Sequence, residues 1–400
     1  DFQTNCETKG TYMNFKLEKN FTSELIEGET YILPYGQNIA MHKKGVRLNP
    51  TGEFLWSLME KTEDYSEILQ SFYRHYDAAD GKERQMLKKD FDDFLLNLKA
   101  HSIIRDLDEE AFAFSGEKIL FSIGGIGIAC FIPKDYLHEN LLDFQSEEEE
   151  KHSISVYLKS FQNQQLLDGE VLVRTDELII IKKDNLLVFD YKTNQIVKEL
   201  CFDIVTKQVD IRILSKNDMD TAKEEIFFAI RNAFLYYAAK HHRFAIHSAS
   251  LVYQDRVWLF SGHSGAGKST HTGLWKELYE VSDFNGDLNL VGVEDGRPYV
   301  YGLPWCGTSG IYSTGKKSLG GIVFLSQGEK DELLPMSKSE KPLYLMQRMI
   351  SPAWTKEQLE RNLDASRHLV DAGIGVWKLS CTKNKSAAEY MKKELDQWNS

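Results

Sequence analysis

The stretch Gly262-His263-Ser264-Gly265-Ala266-Gly267-Lys268-Ser269-Thr270 leaves the chain the fewest folding options. Its spacing is GxxxxGK[ST]. A short apolar run, 256–260, precedes it and predicts a buried strand; the residues that follow, 270–279, predict a helix. A phosphate-binding P-loop needs this strand–loop–helix order. The glycines let the backbone wrap so that its N–H groups point inward at phosphate oxygens, and the helix adds the positive end of its dipole. Lys268 supplies a mobile cation, and Ser269 offers a hydroxyl to Mg²⁺. The pattern therefore predicts that Gly262, Ser264, Gly265, Ala266, Gly267, Lys268, Ser269 and Thr270 hold the phosphates of ATP.

The chain has 400 residues, enough for two or three domains with full cores. Apolar content of 42% and charged content of 27% are those of a soluble globular protein. A net charge of −12 argues against nucleic acid as the main partner. The five cysteines are far apart and form no CxxC pair, so neither a disulfide framework nor a structural zinc site is expected. The apolar run 226–239 is too short for a membrane span and is interrupted by Arg231. With no signal-peptide pattern in the first residues, the expectation is a reduced, cytoplasmic protein with no membrane partner.

In chain order, residues 1–27 are polar and weakly patterned, expected as an arm in which 13–17 can pair as a strand. Segments 30–33 and 38–41 flank Pro34-Tyr35-Gly36-Gln37 and predict a hairpin. Helical apolar spacing follows over 53–60, 65–76 and 83–101, with Asn49 or Thr51 as the first N-cap and Pro50 at the helix entrance. The run Leu48-Asn49-Pro50-Thr51-Gly52-Glu53-Phe54-Leu55-Trp56, with Ile68, Tyr76-Asp77 and Phe94-Leu95-Leu98, resembles the PqqD family over about 28–106. That resemblance implies a small winged-helix domain that recognises the leader of a ribosomal precursor peptide. The leader would add as a strand on the hairpin edge against the third helix, contacting Ile32, Ile39, Met41, Phe91 and Leu95. Residues 107–118 are expected as a linker.

From 118 to 214 the chain alternates strand-like runs with turn residues, as in an antiparallel sheet. The acidic run 147–150 is expected as a solvated loop. Asp218 or Asp220 is expected to cap a buried helix over 221–241, and one strand over 244–253 leads into the strand before the P-loop. An acidic group is needed beside the phosphates to hold magnesium and take a proton; Asp287 and Asp283 are the candidates, with His247 beside the loop as a third. Arg348 and the Lys316-Lys317 pair are candidate phosphate clamps.

The segments Ile246-His247-Ser248-Ala249-Ser250, Phe260 to Thr270, Asn285-Gly286-Asp287 and Tyr301-Gly302-Leu303-Pro304-Trp305-Cys306-Gly307 resemble the HPr kinase-like family over about 119–400. The tail fits too, with 321–325 and 376–381 before a closing helix. The resemblance implies an α+β and α/β fold related to ATP-dependent phosphoenolpyruvate carboxykinase. Its β-rich first part would be followed by the P-loop part, with His247 in the active site. It also implies Ser269 and Asp287 at magnesium, and Gly302, Trp305, Cys306 and Gly307 on the acceptor side. Cys306 beside Trp305 raises the alternative of thiol chemistry, but the expectation is a buried packing cysteine. One departure matters: the family carries paired aspartates where this chain has Gly286-Asp287, which leaves Asp287, Asp283 or His247 to take the proton. Together the two resemblances predict a kinase, using ATP and Mg²⁺, for a Ser or Thr hydroxyl of a docked precursor peptide, with a homo-oligomer admitted. The alternatives are an HPr or free-serine kinase and a nucleotide-binding adaptor without transfer.

Overall fold

The computed structural model describes residues 15–40, 43–106, 114–161, 169–214, 218–263 and 265–399. The fold is mixed α/β. Met41, Ser264 and most of the expected 107–118 linker lie outside the described residues.

In the N-terminal part, Phe21–Ile26 pairs antiparallel with Glu29–Pro34. The connection is Glu27-Gly28, both with positive φ, which matches the twist of a two-residue hairpin. The hairpin therefore lies one strand earlier than the sequence predicts. Pro34 ends the ladder, and 37–40 closes into a helical turn whose Asn38 amide donates to the carbonyls of Lys19 and Asn20. The third strand is the short Val46–Arg47. Part of the expected arm is folded as well: Phe15–Leu17 pairs with Ile104–Asp106, and Phe15 is buried. Three helices follow the sheet, Pro50–Met59, Tyr65–His75 and Gly81–Ala100, capped by Asn49, Asp64 and Asp80. Asn49 accepts from the Gly52 N–H at 2.7 Å. Their apolar faces, including Trp56, Phe72, Phe91 and Leu95, close a core with Ile32.

The middle of the chain forms a nine-stranded sheet from Ile119–Ile123 to Gln208–Ile213. It is not wholly antiparallel. Ser153–Ser160 runs parallel to both of its neighbours, Ile126–Cys130 and Gln208–Ile213. The strand Val197–Asp203, whose apolar and charged residues do not alternate cleanly, completes the antiparallel portion. The helix Met219–Lys240, capped by Asp218, buries most of its apolar residues against this sheet. Glu225 fastens it there by accepting the N–H groups of Gln195, Ile196 and Val197.

A second nine-stranded sheet carries the glycine loop. At its centre Lys316–Gln327 runs parallel to Arg256–Ser261 on one side and to Gly375–Cys381 on the other. The expected strand over 244–253 is broken at Ser248. Phe244–His247 pairs with Leu288–Glu294, while Ala249–Tyr253 pairs with Arg256–Ser261. Four buried polar residues fill the break: the Asn289 amide donates to the Ser248 carbonyl at 2.6 Å, and Ser250 and Asn285 both donate to the Asn289 amide oxygen. A satisfied network of this kind fixes one local geometry. Among the described residues no helix is long and apolar enough to cross a membrane.

Candidate functional site around the glycine loop

The loop follows the sequence expectation closely. Arg256–Ser261 delivers it and Lys268–Leu278 leaves it. Gly265 and Gly267 take φ of 76° and 95°, which side chains rarely adopt, and Gly267 turns directly into the helix. The Ala266 N–H donates to the His263 carbonyl, and Gln327 on the adjacent strand donates to the Gly265 carbonyl at 2.7 Å. Lys268 folds back toward the Gly262 carbonyl, 3.5 Å away. Burial pulls its ammonium below the ordinary lysine value, while Asp287 pulls it back up. Ser269 and Thr270 are exposed in the first helical turn.

Asp287 enters from the far side of the strand break. Its carbonyl accepts the Ser248 N–H, and His247 Nε2 donates to its Oδ1 at 3.1 Å. That hydrogen bond holds the carboxyl below the ordinary aspartate value despite partial burial, and His247, Lys268 and Arg231 add charge attraction. His247 is itself held at its backbone by the Arg348 carbonyl and through its own carbonyl by the Ser261 hydroxyl. The Arg348 guanidinium reaches His263 in the loop, with Nη1 3.4 Å from Nδ1. His247, Lys268, Asp287 and Arg348 thus meet at one end of the sheet.

Other predicted residues divide. Gly307, at a positive φ that favours glycine, borders the site: a Cβ there would stand 2.8 Å from Asp287 Oδ2 and press on the carboxylate. Gly302 closes a backbone contact with Gly315. Trp305 and Cys306 are buried beside Gly307, and Cys306 lies within the field of Asp287. The Trp305 indole is buried and donates to the Phe227 carbonyl at 2.9 Å, and the Cys306 thiol is buried and held up in pKa by that burial. Asp283 is not brought to the phosphate end; it lies on the edge strand Ser282–Asp283 and is paired with Lys276 at 2.9 Å. Lys316 is likewise taken by Glu294.

Gly286 has a steric reason. A Cβ at this position would come 2.1 Å from Ser309 Oγ, so the second aspartate has no room here. Ser269 and Asp287 offer one hydroxyl and one ionised carboxylate, a hard-oxygen pair that fits Mg²⁺ held mainly by phosphates and water. Among the described residues no group of three or more His, Cys, Asp or Glu side chains is arranged for a metal ion. Sequence reasoning missed Gln327 and Arg231. The latter had a visible signal, a lone charge inside an apolar helix.

In the N-terminal part the predicted docking side chains separate from the groove that is present. Ile32, Phe91 and Leu95 are fully buried in the core, Ile39 is exposed on the 37–40 turn, and Met41 lies outside the described residues. The reason is that helical periodicity marks the face a helix buries, not the one it offers. A groove of about 570 Å³ runs between Val46–Arg47 and the helix Gly81–Ala100, lined by Arg47, Leu48, Gly52, Phe94 and Asn97. Compared with protein-family models and with curated proteins, the chain matches none.

Proposed function

We propose that this protein is a kinase that transfers the γ-phosphoryl group of ATP to a Ser or Thr hydroxyl of a ribosomal precursor peptide. A PqqD-like winged-helix unit would seat the leader and an HPr kinase-like unit would carry out transfer. The observation that carries this reading is the convergence of Lys268 and the His247–Asp287 pair on the end of the glycine loop. The loop amides, the helix N-terminus and Lys268 hold the triphosphate. The acceptor oxygen attacks phosphorus, the bond to the β-phosphate oxygen breaks, ADP leaves, and the hydroxyl proton passes to the His247–Asp287 pair. His247 holds Oδ1, which leaves Oδ2 to face Gly307, where the hydroxyl would enter. Magnesium, held by Ser269 and Asp287, would neutralise phosphate charge.

The leader would lie along Val46–Arg47 and against Phe94 and Asn97, where the last strand has no partner on its outer edge among the described residues. Holding the leader raises the effective concentration of the acceptor residue at the loop. Mass spectrometry after incubation with ATP, Mg²⁺ and precursor peptide is expected to show a phosphopeptide. Removing the leader should raise the acceptor KM without changing ATP affinity. No mass gain on an intact precursor sinks the reading. The single carboxylate imposed by Gly286 favours one alternative, an adaptor that binds nucleotide without transfer; that alternative predicts nucleotide binding with no phosphopeptide at all.

A further inference from the structure

Arg231 is the lone charge in the run 226–239 of the helix Met219–Lys240. It shares a helix side with Phe227, four residues before, and Phe234, three residues after. Both rings pack on Trp305, at 5.6 and 5.2 Å between centroids. Trp305 leads through Cys306 to Gly307, which lies against the Asp287 carboxylate. The helix thus directs this arginine toward the segment bordering Asp287. Its guanidinium stands over the Phe228 ring at 4.9 Å, yet Nε is buried with no hydrogen-bond partner among the described residues. A guanidinium stays charged in proteins and presents five donors. Burying one of these donors without a partner is costly unless an anion completes the site.

We propose that Arg231 is an anion-binding residue of this site, receiving an oxyanion that sits beside Asp287. The proposal rests on the phosphotransfer reading above. The oxyanion comes either from the transferring phosphoryl group or from an anionic group of the acceptor. Arg231 and Asp287 attract each other electrostatically, and among the described residues no direct ion pair joins them.

Calorimetric titration of inorganic phosphate into the MgADP-saturated full chain tests this, comparing wild type with Arg231→Met and Arg231→Lys. MgADP affinity is expected to be the same in all three. Phosphate affinity should fall roughly tenfold or more in Arg231→Met, the loss of charge-assisted hydrogen bonds, and less in Arg231→Lys. Should Arg231→Met fail to fold, Arg231→Lys carries the comparison, because it keeps the charge and loses the planar fork. A second arm titrates the acceptor peptide without nucleotide: a loss confined to this arm assigns the oxyanion to the acceptor. Unchanged affinity for both phosphate and peptide in the folded variants overturns the proposal. A wild type that binds no MgADP defeats the nucleotide reading instead, and Arg231 is then judged by phosphate titrated alone.

Discussion

The N-terminal part and the glycine-loop sheet answer differently to the same kind of inference. In the first, residues that the PqqD resemblance assigns to leader docking, Phe91 and Leu95, turn out to be the core, and Ile32 joins them. In the second, residues chosen for their chemistry and motif position, His247, Lys268 and Asp287, meet within bonding or electrostatic reach. Apolar periodicity is a statement about burial. A loop of glycines, a lysine and a hydroxyl is a statement about what must remain open.

The largest expected effect is on the loop. Lys268→Ala or Asp287→Asn should lower phosphoryl transfer by roughly a thousandfold or more while the melting temperature holds; a steady-state assay with the precursor peptide measures it. Activity retained in both variants would break the contrast between the two regions.

The converse holds for the N-terminal core. Phe91→Ala should cost about 3–5 kcal/mol of stability by opening a cavity, read by chemical denaturation. Asn97→Trp, at an exposed groove position, should leave stability within about 0.5 kcal/mol. It should, however, weaken leader binding in a fluorescence anisotropy titration. Equal leader affinity in Asn97→Trp and wild type would move the docking surface elsewhere.

A smaller effect sharpens the account of the missing aspartate. Gly286→Asp should destabilise by about 1–3 kcal/mol through overpacking against Ser309. The double variant Gly286→Asp with Ser309→Gly should recover part of that loss. If Gly286→Asp alone is neutral in denaturation, Ser309 yields more readily than the packing suggests.

The smallest expected effect concerns His271 beneath the loop. Burial pulls its ring down to about 4, and its Nε2 accepts from Trp275 Nε1 at 3.1 Å. The folded value lies below the unfolded one of about 6.5, so the neutral ring stabilises the fold above that pH. This contribution declines as pH drops toward about 4. Melting curves across this range should show an acid-side loss of stability, which His271→Gln flattens. An unchanged slope in that variant would assign the loss to other groups.

Much of the local structure was legible. Asn49 and Asp218 cap the helices the sequence assigns to them, and the strand–loop–helix unit falls within two residues of expectation at either end. The hairpin misplacement has a plain cause. Pro34-Tyr35-Gly36-Gln37 carries strong turn chemistry, whereas Phe21–Ile26 exposes Leu25 and Ile26 and so lacks a clear buried face. Asp283 matched Asp287 in residue type and sequence neighbourhood; only the fold places Asp283 on an edge strand with Lys276 and Asp287 beside His247.

The amino-acid order alone determined the phosphate-loop motif, most helix boundaries and the apolar faces, because caps, dipoles and periodicity act over a few residues. Tertiary structure alone decided that the strand after Phe244 breaks at Ser248, that His247 therefore donates to Asp287, and that Ser309 fills the space beside Gly286. It also brought Arg231 into the field of Asp287. Those outcomes depend on which strands become neighbours and on a buried Ser–Asn network, contacts between distant residues that no local pattern encodes.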